Sequence, residues 1–328
     1  MIRFVRRALA TTAALGLLVA TPAPARAEEA ATRTRDAATT AQEAATRTRE
    51  AATRTREAAT RTEITTTARP LRIMPLGDSI TWGVGTPLHD SYRTDLHHRL
   101  TGAGLDVDFV GSQHSGTGPD RDNEGHPGWT IAQISDRIGG WLDAYRPDVI
   151  LLHIGTNDMT KGLPNATENM AALLGKIHAE VPDAEVFVAK VTGLGHVAGA
   201  GARVARTVAF NRSLASLVAW HGPHFHLVDQ SRVRGIAITD SVHPNELGFA
   251  RMSWNWYRAL QPILNHSRRA WPAGTDPNRA RSFYFCLGDK LSLPPYAVGC
   301  HRWYRHSTAR VWQLPIRQDG RMRWYTAP

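Results

Sequence analysis

Three short stretches of this 328-residue chain carry residue types that could act together on a carbonyl group. PLGDSITWG holds Ser79 directly after an apolar run, and IGTND holds Asn157 after another. TDSVHPNE holds Asp240 and His243 three residues apart, ahead of a helical pattern that Pro244 and Asn245 would open. A serine hydroxyl is a weak nucleophile until an adjacent base takes its proton. An imidazole serves when a carboxylate fixes one ring nitrogen and leaves the other free. Asp240 and His243 are near enough to share one loop and form that pair. The order Ser, Asp, His is compatible with a hydrolytic triad, although the motif G-x-S-x-G is absent. A tetrahedral intermediate also needs hydrogen-bond donors for its oxyanion. The candidates are the Asn157 amide, the Ser79 N–H and a glycine N–H in EGHPGW. Each piece alone has a plain alternative: a turn serine, a helix-start aspartate beside an exposed histidine, an Asn-Asp turn, a flexible glycine loop.

What would bring these pieces together is an alternation of strand-length apolar runs with helical patterns from Pro70 to about Ser267. The strand candidates are LRIMPL, VDFVGS, DVILLHIG, EVFVAKVT and HFHLVDQ. Between them lie SYRTDLHHRL, TIAQISDRIGGWLDAY, ENMAALLGKIHAEV and RTVAFNRSLASLVAW, and NELGFARMSWNWYRALQPIL closes the region. Strands apolar on both faces, alternating with helices, indicate an α/β fold with a parallel sheet. In such sheets sites collect beyond the carboxyl ends of the strands. GDS follows the first run, TND follows DVILLHIG, and TDSVHP follows the last, so all the chemistry falls on one edge.

These residues resemble the SGNH, or GDSL-type, hydrolases. GDSIT, the Gly-rich loop ending in EGHPGW, GTND and DSVHP match that family's four sequence blocks in order. The phrasing IMPLGDSITWG and EGHPGWTI is most similar to the carbohydrate-esterase branch that includes acetylxylan esterases. The resemblance implies a flavodoxin-like three-layer α/β/α fold with a central parallel sheet. It implies Ser79 as nucleophile, His243 as base, Asp240 as its orienter, and Gly128, Asn157 and the Ser79 amide as oxyanion donors. Gly125 and Gly111 in the same loop region remain alternatives to Gly128. The expected activity is hydrolysis of carboxylic esters through an acyl-enzyme, with short acyl groups on carbohydrate as the first reading. A lipase or general arylesterase is the second. A surface-binding protein with an idle α/β domain is the competing class. No cofactor, no metal and no nucleic-acid partner is expected, and the chain is expected to be a monomer.

The ends of the chain read differently. Residues 1–27 form a signal peptide: Arg3, Arg6 and Arg7, then the apolar ALATTAALGLLVA, then an A-x-A site ending at Ala27. The protein is therefore expected to be secreted, and Arg6-Arg7 leaves the export route open. Residues 28–69 are a polar linker containing an AATRTRE-type heptapeptide repeat. It lacks the large apolar residues of a coiled coil. Glu43–Arg47, Glu50–Arg54 and Glu57–Arg61 pair favourably along a single helix, whereas threonine disfavours one. The hydrolase region is 70–267.

The net charge is +10, but residues 268–328 alone carry +8, so the basic character belongs to the tail. Both cysteines lie there, and in an exported chain Cys286 and Cys300 are expected to form a disulfide, worth about 3 kcal/mol by loop closure. Segments such as WYRH and VWQLPIR read as a small β-rich appendage. Its aromatic and arginine residues either grip a polysaccharide or anionic cell-wall polymer or form the appendage's own core. Two metal-like patterns carry less. DRDNEG at Asp120–Gly125 resembles the start of a calcium loop but has Ile131 where a bidentate glutamate belongs. HGPHFH brings His221, His224 and His226 close without an evident acidic ligand, and His97-His98 reads as a helix-surface pair.

Overall fold

The apolar run LRIMPLG forms strand β1 (Leu71–Gly77), and its side chains alternate between two hydrophobic cores. Met74 and Leu76 point into one, and Ile73 into the other. The same division runs through β5 (Val149–His153), where Ile150 and Leu152 oppose Val149 and Leu151. It recurs in β6 (Glu185–Lys190), where Val186 and Val188 oppose Phe187 and Ala189. Burial on both faces is why these strands read as continuous apolar runs rather than alternating ones. The computed structural model describes residues 33, 42, 46–51, 69–195, 197–266 and 269–327.

Residues 69–328 form one compact unit, with a first unit over 1–68. In the first unit residues 46–51 are helical, and the Thr46 hydroxyl donates to the Gln42 carbonyl at 2.9 Å. The signal-peptide reading of 1–27 lies outside the described residues, as does most of the repeat.

In the second unit β2 (Val107–Phe109), β5, β6 and β7 (Phe225–Asp229) join β1 as parallel neighbours, in the order β2-β1-β5-β6-β7. The chain leaves β1 for β2 on one side and returns to β5 on the other. That reversal opens a crevice at the carboxyl ends of β1 and β5. Two helices, α2 (Tyr92–Gly102) and α8 (Glu246–Leu264), cover one sheet face. The opposite face carries α3 (Ile131–Ser135), α4 (Ile138–Tyr145), α6 (Ala166–Glu180) and α7 (Gly201–His221). This is the three-layer α/β/α architecture expected.

Local differences have identifiable causes. The segment 130–145 is two helices rather than one. α3 opens on a capping box of Thr130 and Gln133 and closes at Asp136, and α4 begins after Arg137, while Ile131, Ile134, Ile138 and Leu142 still reach one core. Short helices α1 (Ser79–Trp82) and α5 (Thr156–Lys161) stand where turns were an alternative. The Gly-rich loop contains a hairpin, β3 (Gln113–His114) and β4 (Asp122–Gly125), and β4 pairs parallel with the end of β1. The sheet is therefore mixed, not wholly parallel.

Arg93, which the sequence offered only as one basic residue in a helical pattern, fastens this loop to α1. It is 2% exposed, and its guanidinium donates to the carbonyls of Thr81 and Trp82 in α1 and to those of Ser115 and Arg121 in the loop. It also donates to the Ser115 hydroxyl at 2.7 Å. Burial pulls the guanidinium down to about 10, still charged at neutral pH.

The tail forms an antiparallel sheet of β8 (Ser282–Leu287), β9 (Gly299–Arg305), β10 (Trp312–Gln318) and β11 (Arg321–Thr326). Cys286 and Cys300 are directly opposite on β8 and β9 and are disulfide-bonded. Phe285, Trp303, Trp312 and Leu314 pack with Leu247 of α8 in a third core, and Trp271 packs on Tyr257. So several tail aromatics are core residues, whereas Tyr284, Tyr304 and Trp324 are exposed.

Replacing Arg93 by Ala takes the guanidinium donor from the Thr81 and Ser115 carbonyls, while those of Trp82 and Arg121 keep Ser115 and Asn123 as donors. We expect a loss of about 3–5 kcal/mol in urea unfolding, with little recovery in Arg93→Lys, whose point charge cannot reach the same fan of acceptors.

Candidate active site

Asp78 ends β1 and caps α1, its carboxylate accepting the Ile80 N–H at 2.9 Å. Ser79 is then the first helical residue. Its N–H has no acceptor within the helix, as for every first-turn amide. Burial pushes the Asp78 carboxyl up to about 6, although the Ile80 N–H and the nearby His243 favour its charged form.

The second component is a loop folded around its own carboxylate. Asp240 Oδ1 accepts the N–H groups of Val242 and His243 at 2.8 and 2.9 Å. Its Oδ2 lies 2.8 Å from His243 Nδ1. Burial alone would raise Asp240. The His243 ring and the two backbone donors outweigh it and hold the group well below the usual carboxylate range. The chain turns at Pro244, and buried Asn245 caps α8 by accepting the Gly248 N–H while donating to the Ile236 carbonyl. His243 Nε2 lies 2.9 Å from Ser79 Oγ. With the ring proton on Nδ1 facing Asp240, Nε2 presents its lone pair to the serine hydroxyl. Ser79, Asp240 and His243 thus form one hydrogen-bonded chain at the carboxyl edge of the sheet.

The proposed oxyanion donors sit on adjoining elements. Asn157, in the first turn of α5, donates from Nδ2 to the Trp129 carbonyl at 2.8 Å, which uses one of its two amide hydrogens. His126-Pro127-Gly128-Trp129 is a tight turn closed by Trp129 N–H to the His126 carbonyl at 3.2 Å. Gly128 stands at its third position with φ 81°, as a type II turn with proline second requires. The alternatives at this loop differ. The Gly125 N–H is committed to Asn123 Oδ1 at 3.0 Å, and Gly111 packs against the Asn123 backbone. The Asn157–Trp129 bond fastens the Gly128 turn to the asparagine.

A buried pair missed in the sequence builds that turn. Glu124 is fully buried, accepts the Ser112 N–H and hydroxyl at 2.7 Å each, and lies 2.5 Å from His126 Nε2. The His126 ring stacks against both Trp129 and Trp141, with centroids 4.3 and 4.7 Å away, and the two tryptophans are 6.0 Å from each other. The E-x-H spacing, which in extended backbone puts both side chains on one face, was the available signal.

The tail reaches this site directly. The Gly288 N–H donates to the Thr239 carbonyl at 2.5 Å, one residue before Asp240. The Cys286 N–H donates to Glu246 Oε2 at 2.9 Å, at the start of α8. From the other side the Gly195 N–H donates to the Ser241 carbonyl at 3.2 Å. The loop bearing Asp240 and His243 is therefore held from both flanks.

The metal-like patterns have internal partners. Asp120 accepts the N–H groups of Phe109 and Asp122. Glu185 on β6 supplies the acid not evident in sequence, with its oxygens 3.0 and 2.6 Å from His224 Nδ1 and His226 Nε2. His97 rests edge-on against Phe109. Among the described residues no group of three or more His, Cys, Asp or Glu side chains is arranged to hold a metal ion.

Residues 76–251 match the GDSL-like Lipase/Acylhydrolase family. A family 3 carbohydrate esterase from Clostridium thermocellum is 34% identical, with a TM-score of 0.54 over 61% of this chain and 100% of that one. A multidomain esterase from Ruminococcus flavefaciens is 27% identical over 62% of this chain and 30% of its own length. Esterase TesA from Pseudomonas aeruginosa is 25% identical over 61% of this chain and 93% of its own. The chain thus spans less than a third of the Ruminococcus relative.

Two outcomes follow from this geometry. The Asp78 contribution to stability is full below the free carboxylate range and is lost as pH rises through about 6. Asp78→Asn should therefore melt like the parent near pH 4 and be more stable at pH 8, by about 3 kcal/mol at most. A Cβ at Gly288 would lie 2.7 Å from the Thr239 carbonyl oxygen. Gly288→Ala should then displace the Asp240 loop and lower kcat by up to about 10²-fold, with tail and core still folded by circular dichroism.

Proposed function

Because this chain belongs to the GDSL-like lipase/acylhydrolase family, we propose that it hydrolyses carboxylic esters by two-step acyl transfer at Ser79. The observation that carries the reading is the chain Ser79 Oγ–His243 Nε2–His243 Nδ1–Asp240 Oδ2, with contacts of 2.9 and 2.8 Å. His243 takes the Ser79 proton as Oγ attacks the ester carbonyl. The oxyanion is met by the Ser79 N–H, the Gly128 N–H and the free amide hydrogen of Asn157. As the tetrahedral intermediate collapses, His243 gives its proton to the departing alcohol. Water activated by His243 then attacks the acyl-enzyme, and the acid leaves. Asp240, kept ionised by its three donors, holds the ring in the required tautomer and stabilises the imidazolium.

The substrate class in this reading is a short acyl group, acetyl first, on a carbohydrate hydroxyl. The sequence and fold likeness to the Clostridium thermocellum carbohydrate esterase supports it. Lipase or arylesterase activity is the alternative within the same chemistry. The basic and apolar N-terminal pattern and the Cys286–Cys300 disulfide support secretion, with cleavage after Ala27. The reading needs no cofactor, and one chain contains every reacting group.

The test is an acyl-length series of p-nitrophenyl esters, followed by acetate release from acetylated xylan. Activity should peak at acetate and fall with chain length; a preference for long acyl chains would overturn the carbohydrate reading. Ser79→Ala should abolish hydrolysis without changing the melting temperature, and Asn157→Ala should lower kcat by about 10²–10³.

A further inference from the structure

The tail sheet has one face in the core and one in solvent. Phe285, Trp303, Trp312 and Leu314 occupy the inner face. Strand alternation then puts Tyr284, Arg302, Tyr304, Gln313, Arg317 and Trp324 on the outer one, and the register agrees. Tyr284 is opposite Arg302, Tyr304 is opposite Gln313, and Trp324 is opposite Pro315. Tyr284 and Trp324 are each 53% exposed and Tyr304 is 39% exposed. The Tyr304 and Trp324 rings meet edge to face with centroids 5.8 Å apart. The three rings lie on β8, β9 and β11, so they cross the full four-strand sheet, a width of about 14 Å at the usual strand spacing.

This is not the composition of a merely solvated face. A two-layer arrangement needs apolar residues only on its inner side. Tyr284 and Trp324 share one cross-strand row with Arg302 and Pro315 between them, and Tyr304 stands in the next row against Trp324, so exposed aromatics and a guanidinium occupy one face of the kind that marks a binding surface. None of the residues that the alternation puts on this face is acidic. Arg302 and Arg317 are exposed on it, and the tail as a whole carries +8. Flat rings accept the apolar C–H face of a pyranose, and guanidinium groups pair with carboxylates in a forked geometry.

We propose that the outer face of the β8–β11 sheet docks an acidic polysaccharide, a glycan chain bearing carboxylate groups. The rings of Tyr284, Tyr304 and Trp324 stack on successive sugars while Arg302 and Arg317 take the carboxylates. The choice of a glycan over other polyanions rests on the carbohydrate-esterase reading of the same chain. The inner face of this sheet is packed on Leu247, and the Gly288 N–H just past β8 donates to the Thr239 carbonyl, so a polymer held on the outer face is tethered to the unit that carries His243.

The experiment is native affinity electrophoresis of the full chain in gels containing polygalacturonate, with a neutral unsubstituted glucan as the comparison. The parent should be retarded by polygalacturonate more than by the glucan. Trp324→Ala combined with Tyr304→Ala should weaken that retardation about tenfold, and R302Q with R317Q should weaken it and remove most of its salt dependence. Hydrolysis of p-nitrophenyl acetate, followed in every variant, should stay at the parental rate, which separates failure of docking from failure of the esterase reading. Unchanged retardation in the double aromatic variant overturns the proposal. So does equal retention by single-stranded DNA or by anionic phosphatidylserine vesicles, or a dimer in light scattering that the aromatic substitutions dissolve.

Discussion

One buried guanidinium determines where the serine stands. Arg93 comes from α2, on the far side of a turn from α1, and it donates to carbonyls of α1 and of the Gly-rich loop at once. A four-residue helix has too few internal hydrogen bonds to hold its own orientation. α1 is fixed instead by its end groups: Asp78 at the start and Arg93 at the last turn. Burying a charge is tolerated only when its donors are satisfied, so the loop must fold around Arg93 in one way. The position of Ser79 and the path of residues 115–121 are consequences of the same contact.

The opposite wall of the site follows a parallel rule with the charges reversed. Asp240 is an anion surrounded by three N–H donors, and the loop from 240 to 243 is shaped by satisfying it. That loop has no strand pairing beyond a bridge between Ile238 and Pro244. Gly195 and Gly288 supply hydrogen bonds to its flanks. The first comes from the region after β6 and the second from the tail, so the disulfide-linked sheet is part of the scaffold of the Asp240–His243 loop. The Asn157–Trp129 contact does the same for the third element, binding α5 to the turn that presents Gly128.

Much of this was legible in the chain. The five apolar runs each became a parallel strand, because residues buried on both faces of a sheet have to be apolar at every position. The groups with catalytic chemistry followed strand ends, because only there does backbone leave the core. Less legible were the features that depend on long-range satisfaction of polar groups. Arg93, Glu124 and His126 look like ordinary surface residues in sequence, and only their partners, scattered from Gly77 to Trp141, make them structural. The break between α3 and α4 was hidden because their apolar periodicity continues unbroken across it.

Types and order of residues therefore determined the fold class and named Ser79, Asn157, Asp240 and His243, since local pattern dictates which segments bury and which edge receives polar residues. The tertiary structure decided the contacts among them. Ser79 and His243 are 164 residues apart, and no local rule sets a 2.9 Å separation over that distance. It also divided the tail's aromatics between core and surface. Trp303 and Trp312 lie inside, and Tyr304 and Trp324 lie outside, because a strand turns successive side chains to opposite faces and only the packing on α8 says which face is buried.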